Sequence, residues 1–420
     1  MVDRNLIRDI IVENQKFVAD VVVGERDYAF EDDLNYVLVG LRRAGKSYLI
    51  YGRIQHLLSQ GHSIDEMLYF NFEDERLVGM DVADLHLVLE CYEEMFECRP
   101  FVFLDEIQVV DGWEKFARRL ADKNYRVYIT GSNAKMLSSE IATTLGGRYA
   151  MKDVYPLSFR EFLRMSGLNV ERKNFVFYDR ANIVRLFEEY FRFGGLPEVL
   201  HLRDKRSWLS GLYGKIFFGD LVTRYKIRND EGLRLVVKRL AENVKQPTSY
   251  GRVANIVSST GRKVSTDTVI DYLKYMQESW LLLPVRNISA KFGEKESNKK
   301  YYFVDNGILG LFLFDPDTSL LENLAAIALY QRYGDDFYFY NKNFEVDFFV
   351  PSEKIAIQVC YSLQDEITRK REVSALLKLA EHYEIEKMLI LTKGEEEEIS
   401  ISDETIEVLP IWKYLLLPER

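Results

Sequence analysis

The sequence predicts an α/β chain: a parallel sheet between helices, followed by a helical stretch, a three-helix segment closed by a β-hairpin, and a smaller α/β region. Three observations predict it. Apolar or alternating runs at 36–39, 67–72, 101–104 and 126–130 are separated by amphipathic helical stretches, the pattern of buried strands joined by covering helices. A glycine-containing turn, Gly40-Leu41-Arg42-Arg43-Ala44-Gly45-Lys46-Ser47, lies between the first of these runs and the helix behind it. Beyond residue 157 the periodicity becomes wholly helical, and near 233 it changes again.

Taken in order, residues 4–21 predict a lead-in helix, Tyr36–Val39 a strand and Ser47–Leu58 a helix. Met67–Phe72 is a strand, Ala83–Phe96 a helix, Phe101–Leu104 a fully apolar strand, Trp113–Leu120 a helix and Arg126–Thr130 a strand. Helices follow at Ser158–Leu163, Asn182–Phe193 and Trp208–Ile227, punctuated by Gly194-Gly195-Leu-Pro197. Leu233–Asn243, Ser249–Val257 and Ser265–Glu278 are three helices, with the extended stretch 280–286, a polar stretch 291–300 and the strand 300–304 behind them. That is the element order of a winged helix-turn-helix. A helix at Leu320–Tyr333 then precedes strands at 337–340, 345–350 and 355–360, a helix at 367–382 and a strand at 388–391. Glu395–Glu398 reads as a solvated loop.

The turn at 40–47 fits G-x-x-x-x-G-K-[ST], and the strand before it and helix after it are the context that motif requires. Its glycines let the backbone curl so that N–H groups face phosphate oxygens at a helix N-terminus, which already favours anions. Gly40, Leu41, Arg42, Arg43, Ala44, Gly45, Lys46, Ser47 and Tyr48 are therefore the expected nucleotide-binding residues, with ATP and Mg²⁺ as cofactors. Lys46 would neutralise β/γ oxygens and the Ser47 hydroxyl would ligate Mg²⁺. The side chains of Arg42 and Arg43 are expected to face solvent or a partner.

Phe101-Val-Phe-Leu-Asp105-Glu106 ends an apolar strand in two carboxylates. Asp105 is the expected Mg²⁺ carboxylate and Glu106 the group that orients and polarises the attacking water. Thr130, Ser132 and Asn133, at the end of the next strand, compete for a contact with the γ-phosphate or that water; Asn133 is taken as the candidate. Arg148, after Gly146-Gly147, is a candidate for charge stabilisation, within its own chain or from a neighbouring copy.

Charge is uneven. Residues 231–300 hold 13 Lys/Arg against 7 Asp/Glu, whereas 301–420 hold 11 against 23, within an overall net charge of −10. In the basic segment Ser265, Thr266, Thr268, Tyr272 and Lys274 on one helix, with Lys291, Lys295, Lys299 and Lys300 behind it, would face a DNA groove; Asp267, Asp271 and Glu278 oppose that. In the acidic segment, Glu322, then Glu345-Val-Asp347, then Gln358-Val-Cys360 follow the order of a PD-(D/E)xK nuclease core, where carboxylates and an E-x-K collect Mg²⁺ and activate water. Gln358 and Cys360 stand where Glu and Lys belong, which predicts that this region does not cleave. The three cysteines, Cys91, Cys98 and Cys360, have no metal or disulfide spacing. No run of 18 uncharged apolar residues occurs, and the N-terminus lacks a secretory pattern, so a cytoplasmic chain with no membrane partner is expected.

Taken together, these strings resemble the predicted AAA-type ATPases of bacteria and archaea that carry a C-terminal domain of uncharacterised function. The resemblance rests on G-L-R-R-A-G-K-S (40–47), F-L-D-E-I-Q (103–108), T-G-S-N (130–133), G-G-R (146–148), P-L-S-F-R-E-F (156–162), F-G-G-L-P-E (193–198), G-D-L-V-T-R-Y (219–225), K-Y-Y-F-V-D-N-G (300–307), E-V-D-F (345–348) and I-Q-V-C-Y (357–361). It implies an AAA+-like P-loop ATPase domain (1–157), a helical lid (158–230), a winged helix-turn-helix (231–305) and a PD-(D/E)xK-like α/β domain (306–420). The expected function is Mg²⁺-dependent ATP binding and hydrolysis that drives the C-terminal half, on duplex DNA through residues 231–300 or on a protein partner, with self-association left open. The alternatives are an ATP-gated nuclease using Glu322, Glu345 and Asp347, and a slow-turnover nucleotide switch.

Overall fold

The computed structural model describes residues 2–132, 143–170, 175–291, 293, 297–402 and 404–417. The chain divides into two compact units, Met1–Tyr155 and Pro156–Arg420.

In the first unit, helix α1 (Arg4–Asp20) leads into β1 (Asn35–Gly40), α2 (Lys46–Ser59), β2 (Met67–Asn71), α3 (Leu85–Met95), β3 (Phe101–Asp105), α4 (Trp113–Asp122), β4 (Arg126–Gly131) and β5 (Tyr149–Val154). The five strands are all parallel, in the order β2-β3-β4-β1-β5. The central strands form because both of their faces are covered, which a run such as Tyr36–Val39 satisfies with every residue buried. α1 docks through Ile7, Ile10, Ile11 and Val18, spaced along one helical face, and the Gln15 amide donates to the carbonyls of Ile64 and Met67 at 3.1 Å each. β5 escaped the sequence reading: its alternating, half-exposed residues, with Lys152 and Asp153, pair on one side only, at the sheet's edge.

The second unit begins with α5 (Phe159–Met165), α6 (Phe175–Phe193) and α7 (Lys205–Lys215). The helix expected over 208–227 changes register at Ile216–Thr223, a π turn. Outside that turn's own ladder, the Asp220 carbonyl accepts from Ser279 Oγ at 3.2 Å. Then come α8 (Asp230–Glu242), α9 (Tyr250–Ser259), α10 (Thr266–Glu278), β6 (Leu282–Asn287), β7 (Lys300–Phe303), α11 (Asn306–Leu309) and α12 (Asp317–Tyr333). β8 (Tyr338–Asn341), β9 (Glu345–Val350), β10 (Ile355–Val359), α13 (Glu366–Ala380), β11 (Lys387–Thr392), β12 (Glu397–Ile401), β13 (Glu404–Pro410) and α14 (Ile411–Leu415) complete it.

β6 and β7 form an antiparallel hairpin after three helices, and β6 also pairs in parallel with β8, Arg286 opposite Tyr338. The hairpin thus extends one eight-stranded sheet, β12-β13-β11-β10-β9-β8-β6-β7. The expected divisions at 230/231 and 305/306 both fall inside the second unit. The glutamate run is not a free loop. Glu397 opens β12 and is held by both arms of Arg369 at 2.6 and 2.7 Å, and the Glu395 carboxylate accepts from Ser362 Oγ and the Leu363 amide. Ion pairing lets an acidic sequence serve as an exposed edge strand.

Candidate functional site

β1 and β3 are not neighbours: β4 runs between them, so the C-terminal ends of the three strands form one edge. That topology gathers residues 40–48, 105–106 and 130–132.

Gly40 closes β1 at a point with no room for a side chain, since a Cβ would meet the Val154 carbonyl oxygen at 2.1 Å. The loop then turns through Arg43 and Gly45, whose φ values of 67° and 97° lie in the left-handed region, and α2 starts at Lys46. Leu41 and Ala44 are buried and Arg43 and Tyr48 exposed, while the Arg42 guanidinium lies 3.4 Å from Glu73. Arg26, which the sequence gave no reason to select, braces the loop: it donates to the carbonyls of Ala44 and Tyr155, both at 3.0 Å.

The buried Lys46 ammonium donates to the Gly40 and Leu41 carbonyls at 3.1 Å each and lies 3.8 Å from Glu106 Oε1. Asp105 is buried; its Oδ2 accepts from the Tyr69 hydroxyl at 2.7 Å, its Oδ1 accepts from Thr130 Oγ1, and Ser47 is a further hydrogen-bond partner. Burial, reinforced by the neighbouring Glu106 charge, pushes the Asp105 carboxyl up despite those hydrogen bonds.

Glu106 has the left-handed φ of 52° that few non-glycine residues adopt, and its amide donates to Thr130 Oγ1 at 2.9 Å. Its Oε2 accepts from Ser132 Oγ at 2.6 Å, from the Ser132 amide at 3.3 Å and from the Gln108 side chain. Burial works to raise the Glu106 carboxyl, but attraction to Lys46 and the bonds from Ser132 and Gln108 prevail and hold it below the usual glutamate range.

The site therefore offers an ammonium and helix-start amides for phosphate, a hydroxyl beside a carboxylate for a hard cation, and an ionised carboxylate at a strand end. Of the three competitors, Thr130 joins the Asp105 carboxylate to the Glu106 backbone amide and Ser132 holds the Glu106 carboxylate, while Asn133 lies outside the described residues. Tyr69 was missed because it reads as one more core aromatic of β2.

Arg148 is elsewhere. β5 runs parallel to β1 and starts beside its first residue, Tyr149 opposite Asn35, so Arg148 stands at the opposite edge of the sheet, where it pairs with Asp122. Five residues of β1, about 17 Å, separate that level from Gly40. The expectation that Arg148 serves the phosphates of its own chain is corrected on this ground.

In the second unit, Ser265 caps α10 and Thr266 and Lys274 are exposed, but Tyr272 is buried and donates to the Asn229 carbonyl at 3.0 Å. Lys291 is exposed and Lys295 lies outside the described residues. Lys300 is fully buried, contrary to its expected place facing DNA. Its ammonium lies 3.2 Å from Glu322, 2.8 Å from Glu345 and 3.5 Å from Asp347. The chain thus does assemble Glu322, Glu345, Asp347 and Gln358, around a lysine the sequence had assigned elsewhere, with Tyr302 and Glu372 in the same cluster.

An AAA domain family matches residues 33–163, and a domain of unknown function matches residues 184–318. The uncharacterized protein MJ1544 of Methanocaldococcus jannaschii is 32% identical over 99% of this chain and 96% of its own length. An uncharacterized protein of Haemophilus influenzae is 30% identical over 92% of this chain and 96% of its own length. Among solved structures, the Walker-type ATPase of Pyrococcus abyssi is similar at 13% identity and a TM-score of 0.41, over 74% of this chain and 96% of its own. Among the described residues no helix is long and apolar enough to cross a membrane.

Proposed function

The chain belongs to one family with the M. jannaschii and H. influenzae proteins and carries an AAA domain, and on that premise we propose that it binds ATP with Mg²⁺ and hydrolyses it at the edge formed by β1, β4 and β3. The observation that carries this reading is the meeting of Lys46, Ser47, Asp105 and Glu106, from two separate stretches of chain, within hydrogen-bonding or ion-pairing reach.

Bound Mg²⁺–ATP supplies the phosphoanhydride and the charge neutralisation of its leaving group. Residues 40–48 would hold the phosphates, and Ser47 and Asp105 the metal. The donor set fits: a hydroxyl and a carboxylate are the oxygen ligands Mg²⁺ takes, and they already lie together. Lys46 would exchange the Gly40 and Leu41 carbonyls for phosphate oxygens, a favourable trade of neutral acceptors for charged ones. Glu106, ionised at neutral pH, orients a water and takes its proton on a carboxylate oxygen. Thr130 ties the Asp105 carboxylate to the backbone at Glu106, and Ser132 and Gln108 keep the Glu106 carboxylate from swinging free.

Hydrolysis is proposed to drive the second unit. Duplex DNA is the partner that the helix–helix–helix–hairpin order of 231–305 suggests, supported by the exposed Lys263, Lys274 and Lys291. Against it, Lys274 lies 3.9 Å from Glu278 and Arg262 pairs with Glu231, which leaves a thin phosphate footprint. Steady-state phosphate release, measured with and without duplex DNA over a salt series, tests both parts. Turnover that DNA stimulates less as salt rises supports the whole reading. Turnover indifferent to DNA moves the partner to protein, and no turnover at all leaves a nucleotide-binding switch.

A further inference from the structure

The nuclease-like order of the C-terminal strands implies a divalent cation among Glu322, Glu345 and Asp347. The residues present do not fit one. Gln358 is held in place by three hydrogen bonds that a turn toward a metal would break: Oε1 accepts from the Asp347 amide at 2.8 Å, and Nε2 donates to Glu372 Oε2 at 2.8 Å and to the Glu345 carbonyl at 3.3 Å. Cys360, two residues on, donates its thiol proton to the Ser362 carbonyl. Its burial pushes that thiol up, which disfavours the thiolate a metal would need.

The centre of the cluster is filled from another strand. Lys300 of β7 projects its ammonium between the three carboxylates at 2.8–3.5 Å. It donates to Glu322 Oε1 at 3.2 Å and ion-pairs with Glu345 and Asp347. The spacing suits nitrogen rather than metal, because Mg²⁺ needs oxygens at about 2.0–2.1 Å and Ca²⁺ at about 2.3–2.6 Å. Entry of either ion would require the carboxylates to close in and the lysine to leave. Lys300 is itself shut off from solvent: its residue is 0% exposed, its backbone pairs with Val285 of β6, and its ammonium lies 5.4 Å from the Phe339 ring. The carboxylates push its ammonium up, so it stays charged. Among the described residues no group of three or more Asp, Glu, His or Cys is disposed to hold a metal ion.

We infer that Lys300 is a resident cation that takes the seat of a divalent ion, so that the second unit keeps a nuclease-like carboxylate shell without binding metal. The shell lines an open cavity of about 800 Å³ that also carries Lys245, Arg371 and Lys378. The cation at its floor comes from within the chain rather than from solution, one ammonium against three acidic side chains. This replaces the ATP-gated nuclease reading: the acids that would collect the metal already hold an ammonium.

The test is Mn²⁺ titration of the full chain without nucleotide, by isothermal calorimetry and by the Mn²⁺ spin-resonance signal. Wild type and Asp347→Asn are expected to give the same isotherm. Lys300→Met, which empties the seat and leaves three carboxylates, gains a Mn²⁺ that Lys300→Met/Asp347→Asn loses again. Where Lys300→Met fails to fold, Lys300→Met/Glu322→Gln, with one negative charge removed as well, takes its place and its outcomes are read the same way. Wild type binding a Mn²⁺ that Asp347→Asn abolishes overturns the inference, and so does a folded Lys300 variant that gains none.

Discussion

The Lys46 ammonium and the Glu106 carboxylate, brought together from the loop after β1 and the end of β3, lie 3.8 Å apart in a buried site. Each conditions the other. Glu106 stays ionised because Lys46 is there, and Lys46 can be buried because Glu106 and two loop carbonyls receive its charge. In this arrangement the groups that would serve the phosphates and the water are held by one another.

Glu106→Gln keeps the shape and the bonds from Ser132 while removing the charge and the proton acceptor. Nucleotide affinity is expected to stay within about threefold, whereas steady-state turnover falls by roughly 10²–10⁴. Equilibrium binding and phosphate release on the same preparation check it. Full turnover in the variant would remove Glu106 from its role.

Thr130→Val removes one hydroxyl of nearly unchanged volume, yet that hydroxyl both donates to Asp105 and accepts the Glu106 amide proton. A buried N–H and a buried carboxylate each lose a partner, at about 1–3 kcal/mol of stability. Denaturant unfolding of the variant against wild type measures this, and a change below about 0.5 kcal/mol would mean that the hydroxyl bridges nothing of consequence.

Arg148→Ala is expected to leave nucleotide affinity of the isolated chain unchanged, because the residue lies at the far edge of the sheet and pairs with Asp122. A loss of turnover that appears only as protein concentration rises would assign Arg148 to a neighbouring copy. A loss of affinity at every concentration would contradict its placement.

Burial, with Lys300 opposing it and Asp347 adding to it, pushes Glu322 up to about 7, and Tyr302 and Lys300 both donate to it. Between the ordinary glutamate value and about 7 the folded chain therefore holds a proton that the unfolded chain has released. Stability falls as pH rises through that window, by at most about 3 kcal/mol from this group. Asp305, pushed up to about 6 by burial, acts with the same sign. Glu322→Gln should flatten part of the decline seen by urea unfolding between about pH 5 and about pH 8, and an unchanged slope would show that Glu322 ionises normally.

The inner strands were legible because a strand covered on both faces must be apolar throughout, as Phe101–Leu104 is, and Asp105-Glu106 stood out as charge at the end of such a run. Edge strands obey no such demand, so β5 and β12 carried charges and went unread. Tyr69 and Thr130 look like ordinary strand residues, and only the insertion of β4 between β1 and β3 makes Thr130 a bridge. Lys300 was misread for a simple reason. It follows Lys299 in a basic stretch, but β7 begins at Lys300 and all four of its residues are buried, so the strand carries the second of two identical residues into the core. Glu372 was hidden in the same way, among Arg369, Lys370 and Arg371 on α13.

The most direct measurement of the central claim is equilibrium binding of a fluorescent ATP analogue with Mg²⁺ to wild type and to Lys46→Ala. Loss of charge-assisted contacts to phosphate predicts affinity lower by about tenfold or more in the variant, with the fold intact by circular dichroism. Equal affinity of the two proteins would contradict the assignment of residues 40–48 as the nucleotide site, and with it the account of Asp105, Glu106 and Thr130 built upon it.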